Sequence, residues 1–229
     1  MQRLLLLLYL LLSLANLIAE GTGTEWLILS SKPLLLTVLS LWFYREARPL
    51  DSRFSKMLLA GLVCSIGGDT LLMLVEHGPQ RAYFFLLGLG SFLIAQVCYA
   101  IAFWTYPGAA DGDVRRRPLR ALPFVLYLVG IVGMLWDGIP AGMKVPVVVY
   151  AATIVSMAIG AFNLRGLHGR DVFLGLMAGV LLFVLSDSLI AVNKFGQPVP
   201  YARLLIMGTY LLGQYLIARN GAAIRPEIK

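Results

Sequence analysis

Long apolar runs separated by short polar segments make up almost the whole chain. A bilayer core about 30 Å thick needs roughly 20 apolar residues in a helix. Runs of about that length fall at 4–19, 27–44, 57–75, 82–104, 119–136, 145–164, 172–191 and 201–219. They predict an all-α polytopic membrane bundle of about eight transmembrane helices in a single integral membrane domain, residues 1–229. The first run follows a basic start and resembles a secretory signal. Its length and the lack of a small-residue cleavage site favour a retained helix.

Polar residues inside those runs repeat. Asp69 and Asp187 are 118 residues apart, and Gln96 and Gln214 share that offset. Without a gap, the same shift also superposes Gly61 on Gly179, Gly78 on Gly196, Tyr83 on Tyr201, Gly90 on Gly208 and Ala100 on Ala218. A carboxylate in hydrocarbon costs about 2.5–3.5 kcal/mol even on the mild insertion scale, so a repeated one suggests a single site built twice. Predicted helices one to four fall on five to eight. This predicts two parallel four-helix repeats, about 1–110 and 119–220, related by an axis along the membrane normal.

Composition fixes the class: 59% of residues are hydrophobic and 14% charged. The net charge of +7 works as a topology signal rather than a nucleic-acid footprint. With a cytoplasmic N-terminus, fourteen Lys and Arg lie inside, among them Arg3, Arg48, Arg115–Arg117, Arg225 and Lys229. Four lie outside (Arg81, Lys144, Lys194, Arg203), and Lys32 lies in a helix. That bias predicts both termini in the cytoplasm, as expected for a multi-pass protein of the cell (inner) membrane. The four Trp fall at predicted helix ends, as an interfacial belt requires. Cys64 and Cys98 read as small core residues. Gly67, Gly68, Gly88 and Gly90 read as helix-packing positions.

The depths of the polar groups then define a candidate site. Asp69 and Asp187 fall in the outer halves of helices three and seven. Lys32 lies near the outer end of helix two, before a start broken by Pro33. Asn193, Lys194 and Arg203 flank the outer ends of helices seven and eight. Arg203, Met207, Tyr210 and Gln214 form one helical stripe from rim to interior. Gln96, Gln214, Tyr99 and Tyr210 also suit interhelical hydrogen bonding, and Lys194 and Arg203 also suit anchoring at the rim. His77 and His168 are both placed in loops, and no Cys/His cluster has metal-ligand spacing, so no metal or cofactor is expected. A close pair of buried carboxyls tends to share a proton, which suits general acid/base chemistry. The same pair suits a proton-coupled transporter or flippase of a lysolipid or small metabolite. A lipid-binding protein without catalysis is a third reading.

Several segments resemble the YhhN-like membrane family, whose animal members are lysoplasmalogenase-like. These are KPLLL at 32–36, GDTLL at 68–72, GLGSFLIAQVCYAIAF at 88–103, GVLLFVLSDSLIAVNKF at 179–195 and PVPYARLLIMGTYLLGQYLI at 198–217. The resemblance implies hydrolysis of the vinyl-ether bond of a lysophospholipid, releasing a fatty aldehyde and a glycerophospho-ethanolamine or -choline. For that chemistry the two buried carboxyls, Asp69 and Asp187, are expected to be catalytic, one as the acid and the other ionised. Substrate contacts are expected among Lys32, Arg203, Asn193, Tyr210, Gln96, Gln214 and Tyr99, with the phosphate at Lys32 and Arg203 and the aliphatic tail along the Gln214 stripe. Many relatives carry His where this chain has Gln96, and an amide cannot transfer a proton in its place. The partners implied are the lysolipid and membrane lipid, without nucleic acid. A homo-oligomer is compatible with this.

Overall fold

The computed structural model describes residues 2–77 and 81–224. Gly78, Arg225 and Lys229 lie outside the described residues. Eight long helices occur among those described: α1 (Gln2–Thr22), α2 (Glu25–Glu46), α3 (Arg53–His77), α4 (Arg81–Trp104), α5 (Leu122–Leu135), α6 (Ala141–Asn163), α7 (Arg170–Phe195) and α8 (Ala202–Ala223). Three short helical turns between residues 109 and 121 join α4 to α5. Helices α1 to α7 are long and apolar enough to cross a membrane, which makes this an integral multi-pass protein. Helix α8 falls short of that mark because Arg203, Gln214, Arg219 and Asn220 interrupt it. A helix can carry so many polar groups when they face protein rather than lipid.

The tightest pairs are the hairpins α3/α4, α7/α8 and α1/α2, and α4 also packs against α6. Helix α5 buries only Leu135. Glycine sets the closest approach. A Cβ on Gly179 would lie 2.8 Å from the Ile217 amide nitrogen and 2.9 Å from the Gly213 carbonyl oxygen, so α7 and α8 meet backbone to backbone. At the matching position in α3, Gly61 seats the ring of Tyr99. Gly67, Gly68 and Gly88 likewise receive Ser91, Phe92 and Leu72. Gly90 has nothing within 4 Å, so its expected packing role does not hold. Gly179→Ala is expected to cost about 1–3 kcal/mol through overpacking. Thermal unfolding in detergent will show a lower transition for Gly179→Ala than for Gly90→Ala, whose Cβ enters open space.

Helix α1 is tied in by polar as well as apolar contacts. The Tyr9 hydroxyl donates to the Leu211 carbonyl at 2.7 Å, and Asn16 Nδ2 donates to Ser31 Oγ at 2.9 Å. At the other end of the bundle, Asn163 organises the α4–α5 connection. Its Oδ1 accepts the Val114 and Arg115 amides at 3.0 Å, and its Nδ2 donates to the Ala109 carbonyl at 2.8 Å. The basic stretch at 115–117 is thus anchored at its start.

Some expectations change. Pro33 does not break the start of α2, which runs unbroken from Glu25 through it. The proline has no N–H to give the preceding turn, a loss of one ladder bond that the surrounding helices tolerate. Trp42 is no belt residue: it is buried in the core. Trp26, by contrast, is exposed near the start of α2, and Trp104 ends α4. His77 closes α3 rather than sitting in a loop. His168 does lie in the α6–α7 loop, edge-on to Tyr106, and burial pushes its imidazole pKa down.

Candidate active site

Six helices converge on a cavity of about 150 Å³ that charged residues line. Helices α3 and α7 supply Asp69 and Asp187, α2 supplies Lys32, and α8 supplies Arg203, Met207 and Tyr210. Helix α4 contributes Phe92, and α1 contributes Glu20. The two aspartates, 118 residues apart in sequence, therefore face one space. So do Lys32 and Arg203, two of the three cations expected at the rim.

Each carboxylate is held from the side. Tyr210 donates its hydroxyl to Asp69 Oδ2 at 2.8 Å, and Asp69 is buried. Asp187 Oδ2 accepts two bonds, from Gln96 Nε2 at 2.8 Å and from the Tyr150 hydroxyl at 2.6 Å. Both donors use the same oxygen. These tyrosines and the glutamine thus fix the orientation of both carboxyls. The rings add rigidity: Tyr210 stands edge-on to Phe92, with centroids 5.8 Å apart, and Phe92 lies on Gly68.

Below the cavity the remaining predicted residues form a closed network. Tyr99 donates to Gln214 Oε1 at 2.8 Å, and Gln214 Nε2 donates to Ser65 Oγ at 3.0 Å. Tyr99 and Gln214 are both fully buried and line neither this cavity nor its neighbour. They join α4, α8 and α3 as interhelical glue, so the stripe lines the cavity at Arg203, Met207 and Tyr210 but not at Gln214. Gln96 has a double character, since it bridges α4 to α7 and does so on Asp187 itself. Asn193 lies at an exposed end of α7, where its Oδ1 accepts the Val199 amide at 3.0 Å and shapes the α7–α8 loop. It does not reach the cavity. Lys194 sits over the ring of Phe85 at 4.8 Å.

A second cavity, of about 90 Å³ and almost wholly apolar, lies between α4, α5, α6 and α7. It shares Leu72, Phe92, Asp187 and Ile190 with the polar cavity. Asp187 thus stands where an apolar chamber meets a charged one. That arrangement fits an amphiphile with its polar head at Lys32 and Arg203 and its chain beside α5.

Two contributors were not visible in the sequence reading. Tyr150 is one, although its register pointed to it: it lies 118 residues after Lys32, at the matching place of the second half. Glu20 is the other. It is buried and forms an ion pair with Lys32 at 3.0 Å. It was set at the end of a Leu run, outside the predicted helix, where nothing marked it as part of a site.

The chain is 31% identical to human lysoplasmalogenase TMEM86A over 85% of its own length and 78% of that protein. It is 34% identical to pig lysoplasmalogenase TMEM86B over 85% of its length and 75% of that protein. A lysoplasmalogenase of Mycobacterium tuberculosis is 27% identical over 65% of this chain and 53% of its own. No solved structure matches. The YhhN family model matches residues 26–221, a span that holds both aspartates and all of α3 to α7, and the chain therefore belongs to the YhhN family.

Proposed function

We propose that this protein is a lysoplasmalogenase-like hydrolase, which cleaves the vinyl ether of a lysoplasmalogen to a fatty aldehyde and a glycerophospho-alcohol. The observation that carries this reading is the position of Asp187 and Asp69 on a charged cavity that adjoins an apolar one. The vinyl ether joins the aliphatic chain to the glycerol, so a lysolipid lying across both chambers would bring that bond to Asp187. Lys32 and Arg203 would receive the phosphate, one as a point charge and the other as a fork.

The chemistry needs an acid and then a base. Asp69, with one tyrosine donor, carries the proton and gives it to the alkenyl carbon one removed from the ether oxygen. Positive charge then develops on the carbon bonded to that oxygen, as in glycoside cleavage, where two carboxyls meet a similar cation. Asp187, with two donors on one oxygen, stays ionised. It stabilises the cation and accepts a proton from the attacking water. The hemiacetal then collapses. Its hydroxyl proton returns to Asp69, and the departing glycerol oxygen takes the proton held on Asp187. Both groups are restored.

Turnover in D2O tests this order of events. The fatty aldehyde should carry a single deuterium on the carbon next to the carbonyl, delivered in the first protonation. Aldehyde free of deuterium at that carbon would sink the mechanism. Tyr150→Phe removes one bond to a charged acceptor, a loss worth about 1.5–3 kcal/mol. It is expected to lower kcat by about 10–100-fold with little change in KM.

Eight membrane crossings as two parallel four-helix repeats, with both termini cytoplasmic, complete the reading. The loop charges support it, and so does the pairing of α3 with α4 and α7 with α8. In that topology the polar cavity opens toward the non-cytoplasmic side.

A further inference from the structure

We infer that Glu20 and Lys32 form a head-group subsite that reads a zwitterion, with Lys32 taking the phosphate and Glu20 taking a primary ammonium. The inference rests on the proposed lysolipid substrate and names a specificity residue for it.

The two side chains pair at 3.0 Å on the wall of the polar cavity, Glu20 almost fully buried and Lys32 17% exposed. A buried ion pair is a weak source of stability, because desolvating both charges offsets most of their attraction. Here the pair is not sealed in the core: both residues line the space that holds the catalytic carboxyls. They project from adjacent helices, α1 and α2, across a tight turn at Gly23, whose φ of 71° requires glycine. Their opposite charges lie side by side, which is the complement of a phosphate and an ammonium joined by a short linker. Arg203 lines the same cavity and adds a second positive charge on the phosphate side. An entering phosphoethanolamine group would split the pair and replace each lost partner with a new one, leaving no charge uncompensated. A phosphate without an amine would take Lys32 and strand Glu20, buried and ionised. Sites that discard a buried polar partner in this way discriminate strongly against the analogue that lacks it.

The test uses binding alone, so that it stands apart from turnover. Saturated-ether lysolipids, which have no vinyl bond to cleave, are offered to the purified protein in detergent: an alkyl-glycerophosphoethanolamine and an alkyl-glycerophosphate of the same chain. Wild type is expected to bind the ethanolamine lipid at least about tenfold more tightly. Glu20→Gln should weaken that lipid and strengthen the phosphate lipid, collapsing or reversing the ratio. Glu20→Asp should keep it. Equal binding of both lipids by wild type would overturn the proposal. So would a Glu20→Gln variant that weakens both by the same factor, since that is what mere support of Lys32 would do. If Glu20→Gln does not fold, the wild-type ratio decides the matter. A failed hydrolase reading would show separately, as bound lysoplasmalogen that yields no aldehyde while the binding ratio persists.

Discussion

Asp187→Asn and Asp69→Asn should each lower kcat for lysoplasmalogen cleavage by about 10²–10⁴-fold, the usual contribution of a positioned acid or base. Both replacements keep the size and shape of the side chain. The amide oxygen can still accept from Tyr210 at position 69, and from Tyr150 and Gln96 at position 187. Melting temperatures should therefore stay near wild type, and binding of a saturated-ether lysolipid should survive. The chemistry cannot. An amide at 69 has no acidic proton for the alkenyl carbon. An amide at 187 neither balances the oxocarbenium charge nor takes a proton from water. The two groups work as a unit, so the double variant should be little worse than either single one. Kinetics of the three variants with equal folded fractions check this. Turnover within a few-fold of wild type in either single variant would exclude a two-carboxyl mechanism.

Filling the apolar chamber should have the next largest effect. Ala151, on α6, lines it beside Tyr150. Ala151→Phe adds a ring to the apolar space that the aliphatic chain is proposed to occupy. Each buried CH₂ is worth about 0.8 kcal/mol, so displacing several methylenes should cost roughly 100-fold or more in kcat/KM for a long-chain substrate. A short-chain alkenyl lysolipid, which does not reach that depth, should lose far less. The chain-length dependence is the diagnostic. An equal loss for long and short chains would mean that the tail lies elsewhere.

Much of this site could be read in the sequence because membrane chains make polar residues conspicuous. Asp69 and Asp187 stood out against hydrocarbon, and their shared offset with Gln96 and Gln214 pointed to one arrangement made twice. The structure brings the carboxyls to one cavity and sets Gln96 on Asp187. What periodicity could not resolve was which polar groups face the cavity and which face a neighbouring helix. Gln214 and Tyr99 have the same composition signal as a ligand, yet they satisfy each other and Ser65 in the core. Asn193 also looked like a rim ligand, but it folds a loop. Glu20 shows the opposite error. It stands at the end of a helix, where an acid usually meets water, and only the return of α2 places Lys32 against it. Pro33 misled for a related reason: a proline breaks an isolated helix, whereas a packed one can absorb it.

Product analysis on purified wild-type protein given ethanolamine lysoplasmalogen tests the central claim most directly. Fatty aldehyde and glycerophosphoethanolamine should accumulate in equal amounts, and neither should form with Asp187→Asn. Intact lysolipid recovered from folded wild-type protein, whether bound in detergent or moved across a vesicle membrane, would contradict a hydrolase and identify a binder or carrier of the same lipid.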